Sequence, residues 1–192
     1  MAKVILLDAT MRPQSRTREL AHYYLKASGI SNYDVVQLAN LRLQLSPEDL
    51  QRRMDLVASR NYDDPMFDYA KALAKAEEIV IAAPVYDLSF PACLKTYLEA
   101  VNVPGLLFAY GEHGNIIPKT KAKHVTYITT SGGPIISDVY GYGYIKAFFQ
   151  TFCGLEDVRY IKAEGLDAFP EQVEQRLAKA KESIIELIGC QK

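Results

Sequence analysis

Three apolar runs that do not alternate with polar residues constrain the fold of this chain most strongly. They are KVILLDA at residues 3–9, EIVIAAPVY at residues 78–86 and KHVTYITTSGG at residues 123–133. Short runs of this kind are typical of strands in a parallel sheet that is covered on both faces. Segments with helical periodicity separate the runs, so the sequence predicts an α/β protein.

Two further strands are predicted at residues 33–38 (YDVVQL) and 157–165 (DVRYIKAEG). Ser46, Pro47 and Asp49 form a start signal for one of the intervening helices. The predicted helices span residues 15–28, 46–59, 64–77, 91–101, 144–154 and 170–189. With right-handed crossovers, these elements predict a doubly wound five-stranded parallel sheet of order 2-1-3-4-5, with helices on both faces.

Ligands of doubly wound sheets bind beyond the carboxyl ends of the strands, where the direction of winding reverses. For the expected order, that point lies between the first and third strands. Three loops therefore become candidates for a binding site: residues 10–17, 84–91 and 130–133.

The composition predicts one globular domain over residues 1–192 and excludes several classes of function. Hydrophobic residues make up 49% of the 192-residue chain, and its net charge is −1. This balance gives no attraction to nucleic acid or to an anionic membrane. Three cysteines without a CxxC spacing and three scattered histidines predict a cytoplasmic protein with no metal site.

The first candidate loop combines hydroxyl groups and cations at the start of a helix. Thr10, Ser15, Arg16 and Thr17 follow the first strand directly. A helix N-terminus attracts anions through its unpaired N–H groups and its dipole, although capping by Ser15 beside solvated arginines would also explain the pattern. The loop has neither G-x-G-x-x-G nor GK[ST], which favours a terminal phosphate, such as that of FMN, over a pyrophosphate or triphosphate.

The other two candidate loops could hold a flat ring. The segment APVYDLSFPACLK offers apolar and aromatic surface together with main-chain groups, and TTSGG offers hydroxyl and amide donors. Two adjacent glycines, Gly132 and Gly133, permit close approach of the backbone to a ligand. The alternative is that both segments are ordinary turns whose aromatic residues fill gaps in the core.

These segments together resemble the bacterial FMN-dependent NADH:quinone oxidoreductases and azoreductases, which have the flavodoxin-like fold. The resemblance covers most of the chain and rests on KVILLDAT with the later SRT, APVYDLSFPACLK, LLFAYGEHG, ITTSGG and FCGLEDVRYIKAEG. It implies bound FMN, NADH or NADPH as the electron donor, a planar quinone or azo compound as the acceptor, and a homodimer. It implies no side-chain nucleophile or general base.

The resemblance also implies roles for individual positions. The FMN phosphate would be held by Thr10, Ser15, Arg16 and Thr17. The ribityl chain and isoalloxazine ring would be lined by Pro84, Val85, Tyr86, Asp87 and Leu88. The pyrimidine side of the ring would meet Thr130, Ser131, Gly132 and Gly133. Tyr110, which follows Phe108 in an F-x-Y motif, and Phe152 would be active-site aromatics, with Phe152 reaching the flavin of the partner subunit.

Two positions depart from the family pattern, and two other functions stay open. Asp87 replaces the usual asparagine, and a carboxylate near the flavin disfavours its anionic reduced form unless the carboxylate points away. Ser131 stands where many members have a charged or larger residue. A flavin reductase that releases reduced FMN and a non-enzymatic electron carrier are the alternatives to a quinone or azo reductase.

Overall fold

The computed structural model describes residues 3–190, which form a layered α/β structure. The strands are β1 (Val4–Asp8), β2 (Tyr33–Gln37), β3 (Glu78–Ala82), β4 (Phe108–Tyr110), β5 (Ile116–Pro118), β6 (His124–Thr130) and β7 (Asp157–Ala163). The α-helices are α1 (Arg16–Ala27), α2 (Pro47–Ala58), α3 (Asp68–Lys75), α4 (Ala92–Val101), α5 (Tyr144–Cys153) and α6 (Val173–Gly189).

The main sheet has five parallel strands in the order β2-β1-β3-β6-β7. Without the short β4–β5 pair, this is the expected order 2-1-3-4-5, which is therefore confirmed. Asp8 at the end of β1 aligns with Gln37 of β2 and with Ala82 of β3. The strands consequently end at nearly the same level, and the loops that follow them leave the sheet side by side.

The two faces of the sheet are covered by different helices, as a doubly wound fold requires. Val4 and Leu6 of β1 pack in one core with α1 and α6, whereas Ile5 and Leu7 pack in the other core with α3, α4 and α5. Successive residues of a strand point to opposite faces. Both faces of β1 are therefore buried, which explains why its sequence shows no alternation.

Local signals set several helix ends as expected. Ser46 and Asp49 form a capping box at the start of α2, and Pro47 is its first residue. Gly29, whose φ is +71°, follows α1 in a left-handed conformation that terminates the helix. The helices expected from residues 64 and 170 begin differently, because short 3₁₀ turns at Pro65–Phe67 and Pro170–Gln172 precede α3 and α6.

Two features after α4 are absent from the sequence prediction. Strands β4 and β5 form an antiparallel pair outside the main sheet, and each is three residues long. Strands this short show no periodic pattern. The segment Val139–Gly143 forms one turn of π-helix that leads directly into α5. Gly141 and Gly143 have low helix propensity, so propensity does not predict a helix in this segment.

Candidate functional site

A cleft of about 740 Å³ lies at the carboxyl ends of the central strands. Its walls come from the loop between β1 and α1, the loop after β3, the end of β6 and the loop after β7. The three loops selected from the sequence therefore meet at one place. The predicted cofactor-binding residues that line the cleft are Ser15, Arg16, Thr17, Pro84, Val85, Tyr86, Thr130, Ser131 and Gly132.

The N-terminus of α1 forms one end of the cleft. Ser15 is the N-cap residue, and its hydroxyl oxygen accepts a 3.3 Å hydrogen bond from the backbone N–H of Arg18. Capping does not consume the hydroxyl hydrogen of Ser15, which can still be donated to an anion. Both interpretations of Ser15 from the sequence are therefore compatible with its geometry.

Thr10 and Thr17 are more deeply placed than Ser15. Thr10 is 2% exposed and does not line the cleft, whereas Thr17 is 1% exposed and lines it. The Thr17 hydroxyl is 2.6 Å from the hydroxyl of Thr130. One of the two hydroxyls donates to the other, so α1 and β6 together offer one free hydroxyl hydrogen to an anion at this point.

A partly buried ion pair between Asp8 and Arg18 anchors the first loop, and the site predicted from the sequence includes neither residue. Asp8 is fully buried and accepts hydrogen bonds from Arg18 Nε at 2.6 Å and from Gln37 Nε2 at 3.1 Å. The backbone N–H of Thr10 donates to its other oxygen at 2.9 Å. Burial alone would raise the pKa of Asp8, but hydrogen bonds from Thr10 and Arg18 outweigh it, and the pKa is lowered.

The guanidinium of Arg18 also holds the backbone of the loop. Its Nη1 donates to the carbonyl oxygens of Pro13 at 3.0 Å and Arg12 at 3.3 Å, and its Nη2 donates to that of Thr10 at 3.4 Å. The loop is thus stabilised by a side chain rather than by glycine turns. The sequence shows three arginines within residues 10–18, but it does not show which of them turns toward the backbone of the loop.

Arg16 and Asp167 form an ion pair at the mouth of the cleft. Arg16 Nη1 lies 2.9 Å from Asp167 Oδ1, and both side chains are partly exposed to solvent. Asp167 belongs to the loop after β7, which the sequence prediction did not include. It also lies against Gly132, where an added Cβ atom would come within 2.5 Å of Asp167 Oδ2. Gly132 therefore permits this close approach.

The loop after β3 contributes an apolar wall. Pro84, Val85 and Tyr86 line the cleft, and the N–H of Val85 donates to the carbonyl of Thr130 at 2.8 Å. Tyr86 and Ser89 exchange two backbone hydrogen bonds of 2.8 and 3.0 Å, which close a tight turn. The residues at the tip of this turn, Asp87 and Leu88, are exposed and do not line the cleft.

The tip of this turn explains one departure from the family pattern. Asp87 has φ of +49°, a conformation that only glycine, asparagine and aspartate adopt readily. The replacement of asparagine by aspartate therefore preserves the backbone requirement of the position. The carboxylate is held in solvent outside the cleft, where its effect on a ligand is weakened.

The end of β6 supplies polar groups on the opposite wall. Thr130, Ser131 and Gly132 line the cleft, whereas Gly133 lies outside it. The N–H of Ser131 donates to the carbonyl of Ala163 at 2.9 Å, so its hydroxyl is the group that remains for a ligand. The small side chain of Ser131, which departs from the family pattern, keeps this wall open.

The predicted active-site aromatics lie away from the cleft within one copy of the chain. Tyr110 is 65% exposed and meets Phe108 edge to face, with ring centroids 5.3 Å apart. Phe152 contacts Phe108 at 5.1 Å and Phe148 at 5.3 Å. The structure therefore joins Tyr110 and Phe152 through Phe108 in one aromatic cluster but does not bring them to the cofactor-binding loops.

The tyrosine-rich segment at residues 140–144 is held against the edge of the sheet. Tyr142 stacks on Tyr160 with ring centroids 4.4 Å apart and an interplanar angle of 2°, and Tyr160 stacks on Tyr127 at 5.8 Å. The hydroxyl of Ser89 donates to the carbonyl of Tyr140 at 2.6 Å. This bond links the segment to the loop after β3.

Residues 3–190 contain no disulfide, no candidate metal cluster and no candidate membrane span. Cys93, Cys153 and Cys190 are free thiols. No group of three or more His, Cys, Asp or Glu side chains in this range could hold a metal ion. None of the helices in the same range has the length and apolar character needed to cross a membrane.

Comparisons with known proteins agree with the fold. The family model described as flavodoxin-like fold matches residues 2–188. The FMN-dependent NADH:quinone oxidoreductase of Coprothermobacter proteolyticus is 31% identical, with 94% of each chain covered. An azoreductase from Bacillus anthracis has a similar structure, with a TM-score of 0.79, 21% identity and coverage of 98% and 99% of the two chains.

A second solved structure carries a ligand. It is an FMN-dependent NADH-azoreductase from Bacillus anthracis in complex with FMN, with a TM-score of 0.76 and 19% identity. The comparison covers 98% of this chain and 100% of that chain.

Proposed function

We propose a function for this chain from one premise: it belongs to the family of FMN-dependent NADH:quinone oxidoreductases, which has the flavodoxin-like fold. The chain is an oxidoreductase of that family. In our proposal its residues 1–192 act as one FMN-binding domain in the cytoplasm. Bound FMN would take a hydride from NADH or NADPH and pass two electrons to a planar quinone or azo compound.

The convergence of the three loops on one cleft carries this proposal. The cleft volume of about 740 Å³ falls within the usual range for small-molecule and cofactor sites. One end of the cleft has a helix N-terminus with Ser15 and Arg16, which fits a phosphate. The apolar wall at Pro84 and Val85 fits a flat ring system.

Each wall of the cleft would then have a distinct task. Ser15, Arg16 and Thr17 would bind the phosphate, with Thr10 supporting them from behind. Pro84, Val85 and Tyr86 would orient the ring and the ribityl chain through main-chain groups and apolar contact, whereas Asp87 and Leu88 lie outside the cleft. The hydroxyl of Ser131 and the other free donors between Thr130 and Gly132 would stabilise negative charge on the pyrimidine side of the ring, whereas Gly133 lies outside the cleft.

Arg16 has an additional role in this proposal. Its partner Asp167 is a carboxylate at the mouth of an anion site, which would repel a phosphate if it were unpaired. Arg16 neutralises this carboxylate and can also reach toward the anion, since a guanidinium has five N–H donors. The ion pair therefore reconciles Asp167 with an anionic ligand.

Tyr110 and Phe152 enter the proposal through a second copy of the chain. Tyr110 and Ile117 are 65% and 47% exposed on the β4–β5 pair, and exposed large apolar side chains are a feature of interfaces. We propose a homodimer in which these aromatics form a wall over the flavin of the partner subunit. The planar acceptor would stack between that wall and the flavin.

An absorption spectrum tests the proposal directly. We expect the purified protein to bind FMN, to lose its yellow colour when NADH is added under nitrogen, and to regain it when a quinone is added. A protein that is colourless after incubation with excess FMN and removal of the free FMN would refute the proposal. Release of reduced FMN during turnover would identify a flavin reductase, and a stable semiquinone with little NADH oxidation would identify an electron carrier.

A further inference from the structure

We propose that Arg18 is the positioning residue that gives the glycine-free loop at residues 10–15 its phosphate-binding shape. This inference rests on the proposed function, because the ligand concerned is the FMN phosphate. Arg18 also lines the cleft, but the donors of its guanidinium are directed to protein acceptors, so its proposed action is through the loop. It replaces the glycines that other phosphate loops use.

The first support is the arrangement of the donors of Arg18. Its Nε is directed to Asp8 Oδ2 at 2.6 Å, Nη1 to the carbonyls of Pro13 and Arg12, and Nη2 to the carbonyl of Thr10. All three nitrogens therefore have partners in the protein. A flat guanidinium can hold several acceptors at fixed angles, which an ammonium group cannot do.

The second support is the direction in which the peptide groups must point. The carbonyl and N–H of a trans peptide unit point in opposite directions. Because Arg18 attracts the carbonyls of Thr10 and Pro13, the N–H groups of Met11 and Gln14 are turned away from the guanidinium. Both N–H groups can then face an anion, although Pro13 between them has no N–H, and the negative ends of the carbonyl dipoles of Thr10, Arg12 and Pro13 are withdrawn from that side.

The third support is the anchor of the guanidinium. Asp8 ends β1, an inner strand of the sheet, is fully buried and also accepts a hydrogen bond from Gln37 of β2. The position of the Arg18 side chain is therefore fixed by a buried residue of the sheet. Through Arg18, the rigid sheet determines the geometry of an otherwise exposed loop.

Three variants test the proposal. Arg18→Lys keeps the charge but loses the flat fork, and Asp8→Asn removes a negative charge near the proposed phosphate while weakening the anchor. Arg53→Lys is the matched control, because Arg53 also donates to two backbone carbonyls, those of Glu99 and Asn102, far from the cleft in sequence. Binding of FMN and of riboflavin, which lacks the phosphate, is measured for each by quenching of flavin fluorescence.

We expect Arg18→Lys to weaken FMN binding by roughly 10- to 100-fold and riboflavin binding by no more than about 2-fold. Arg53→Lys should leave both affinities unchanged. Asp8→Asn should also weaken FMN binding, although simple electrostatics predicts the opposite. An equal loss of FMN and riboflavin affinity in Arg18→Lys, or tighter FMN binding in Asp8→Asn, would overturn the proposal. Failure of the wild-type protein to bind FMN would instead refute the proposed function.

Discussion

The hydroxyl of Thr17 lies 2.6 Å from the hydroxyl of Thr130, and this contact joins the first turn of α1 to the end of β6. Both residues are buried at the floor of the cleft. Only one hydroxyl of such a pair can donate to the other, so one hydroxyl hydrogen stays available for a third partner. The pair therefore connects two of the ligand loops and still leaves a donor for a ligand.

Simultaneous replacement of Ser15 and Thr17 by alanine is expected to weaken FMN binding by about 1–3 kcal/mol, because two hydroxyl groups near the phosphate are lost. Equilibrium titration with FMN measures the effect. Riboflavin serves as the control ligand, since its affinity should change little. Unchanged FMN affinity would remove these hydroxyls from the phosphate site.

Replacement of Tyr110 by alanine is expected to impair turnover of NADH and quinone while FMN content stays normal. Tyr110 is 65% exposed in one copy of the chain, so its loss should change the free energy of unfolding of the separate subunit by less than about 0.5 kcal/mol. Steady-state kinetics and urea unfolding measure the two effects separately. Normal kinetics would place Tyr110 outside the active site.

Phe152 needs a milder substitution, because it packs against Phe108 and Phe148. Phe152→Ala would create a cavity that costs about 3–5 kcal/mol of stability. Phe152→Leu preserves most of the packing volume, and we expect it to lower the turnover number more than the FMN content. If the turnover number does not fall, Phe152 has only a packing role.

The turn at Asp87 predicts opposite responses to two substitutions. Asp87→Asn should leave stability unchanged, because asparagine also tolerates the φ of +49°. Asp87→Ala should cost about 1 kcal/mol, because alanine does not. Urea unfolding measures both. Because the carboxylate is exposed, Asp87→Asn should raise the reduction potential of bound flavin only slightly, and a large rise would show that the carboxylate faces the ring.

Acid should weaken the anchor of the first loop. The folded-state pKa of Asp8 is lowered, so its contribution to stability is fully present above the pKa of the unfolded chain, about 3.9, and is lost as the pH falls through the lower folded value. The free energy of unfolding, measured by urea titration between pH 6 and pH 3, should therefore fall most steeply below about pH 4. Asp8→Asn should flatten this dependence, and an unchanged slope in that variant would contradict the assignment.

The fold could be predicted from the sequence because its strongest signals are local. β1, β3 and β6 are buried on both faces and appear as apolar runs, and the cap at Ser46 marks a helix start on its own. The β4–β5 pair has no such signal, because its strands are three residues long and Phe108 of β4 packs against the distant Phe152.

The sequence predicts which loops form the candidate site, but it does not predict which side chains contact each other there. Strand order brings residues 10–17, 84–91 and 130–133 together, so their meeting follows from topology. The Arg16–Asp167 pair joins residues 151 positions apart, and only the folded chain brings them into contact. Similarly, nothing in the sequence shows that Arg18, and not Arg12 or Arg16, pairs with the buried Asp8.

The stacked rings of Tyr142, Tyr160 and Tyr127 make the placement of the residue 139–143 segment visible to spectroscopy. The chain has 13 tyrosines and no tryptophan, so no indole band obscures the phenol signal. Near-parallel chromophores at this separation couple their electronic transitions. Circular dichroism between about 270 and 290 nm can therefore follow the docking of that segment in the unlabelled, flavin-free protein.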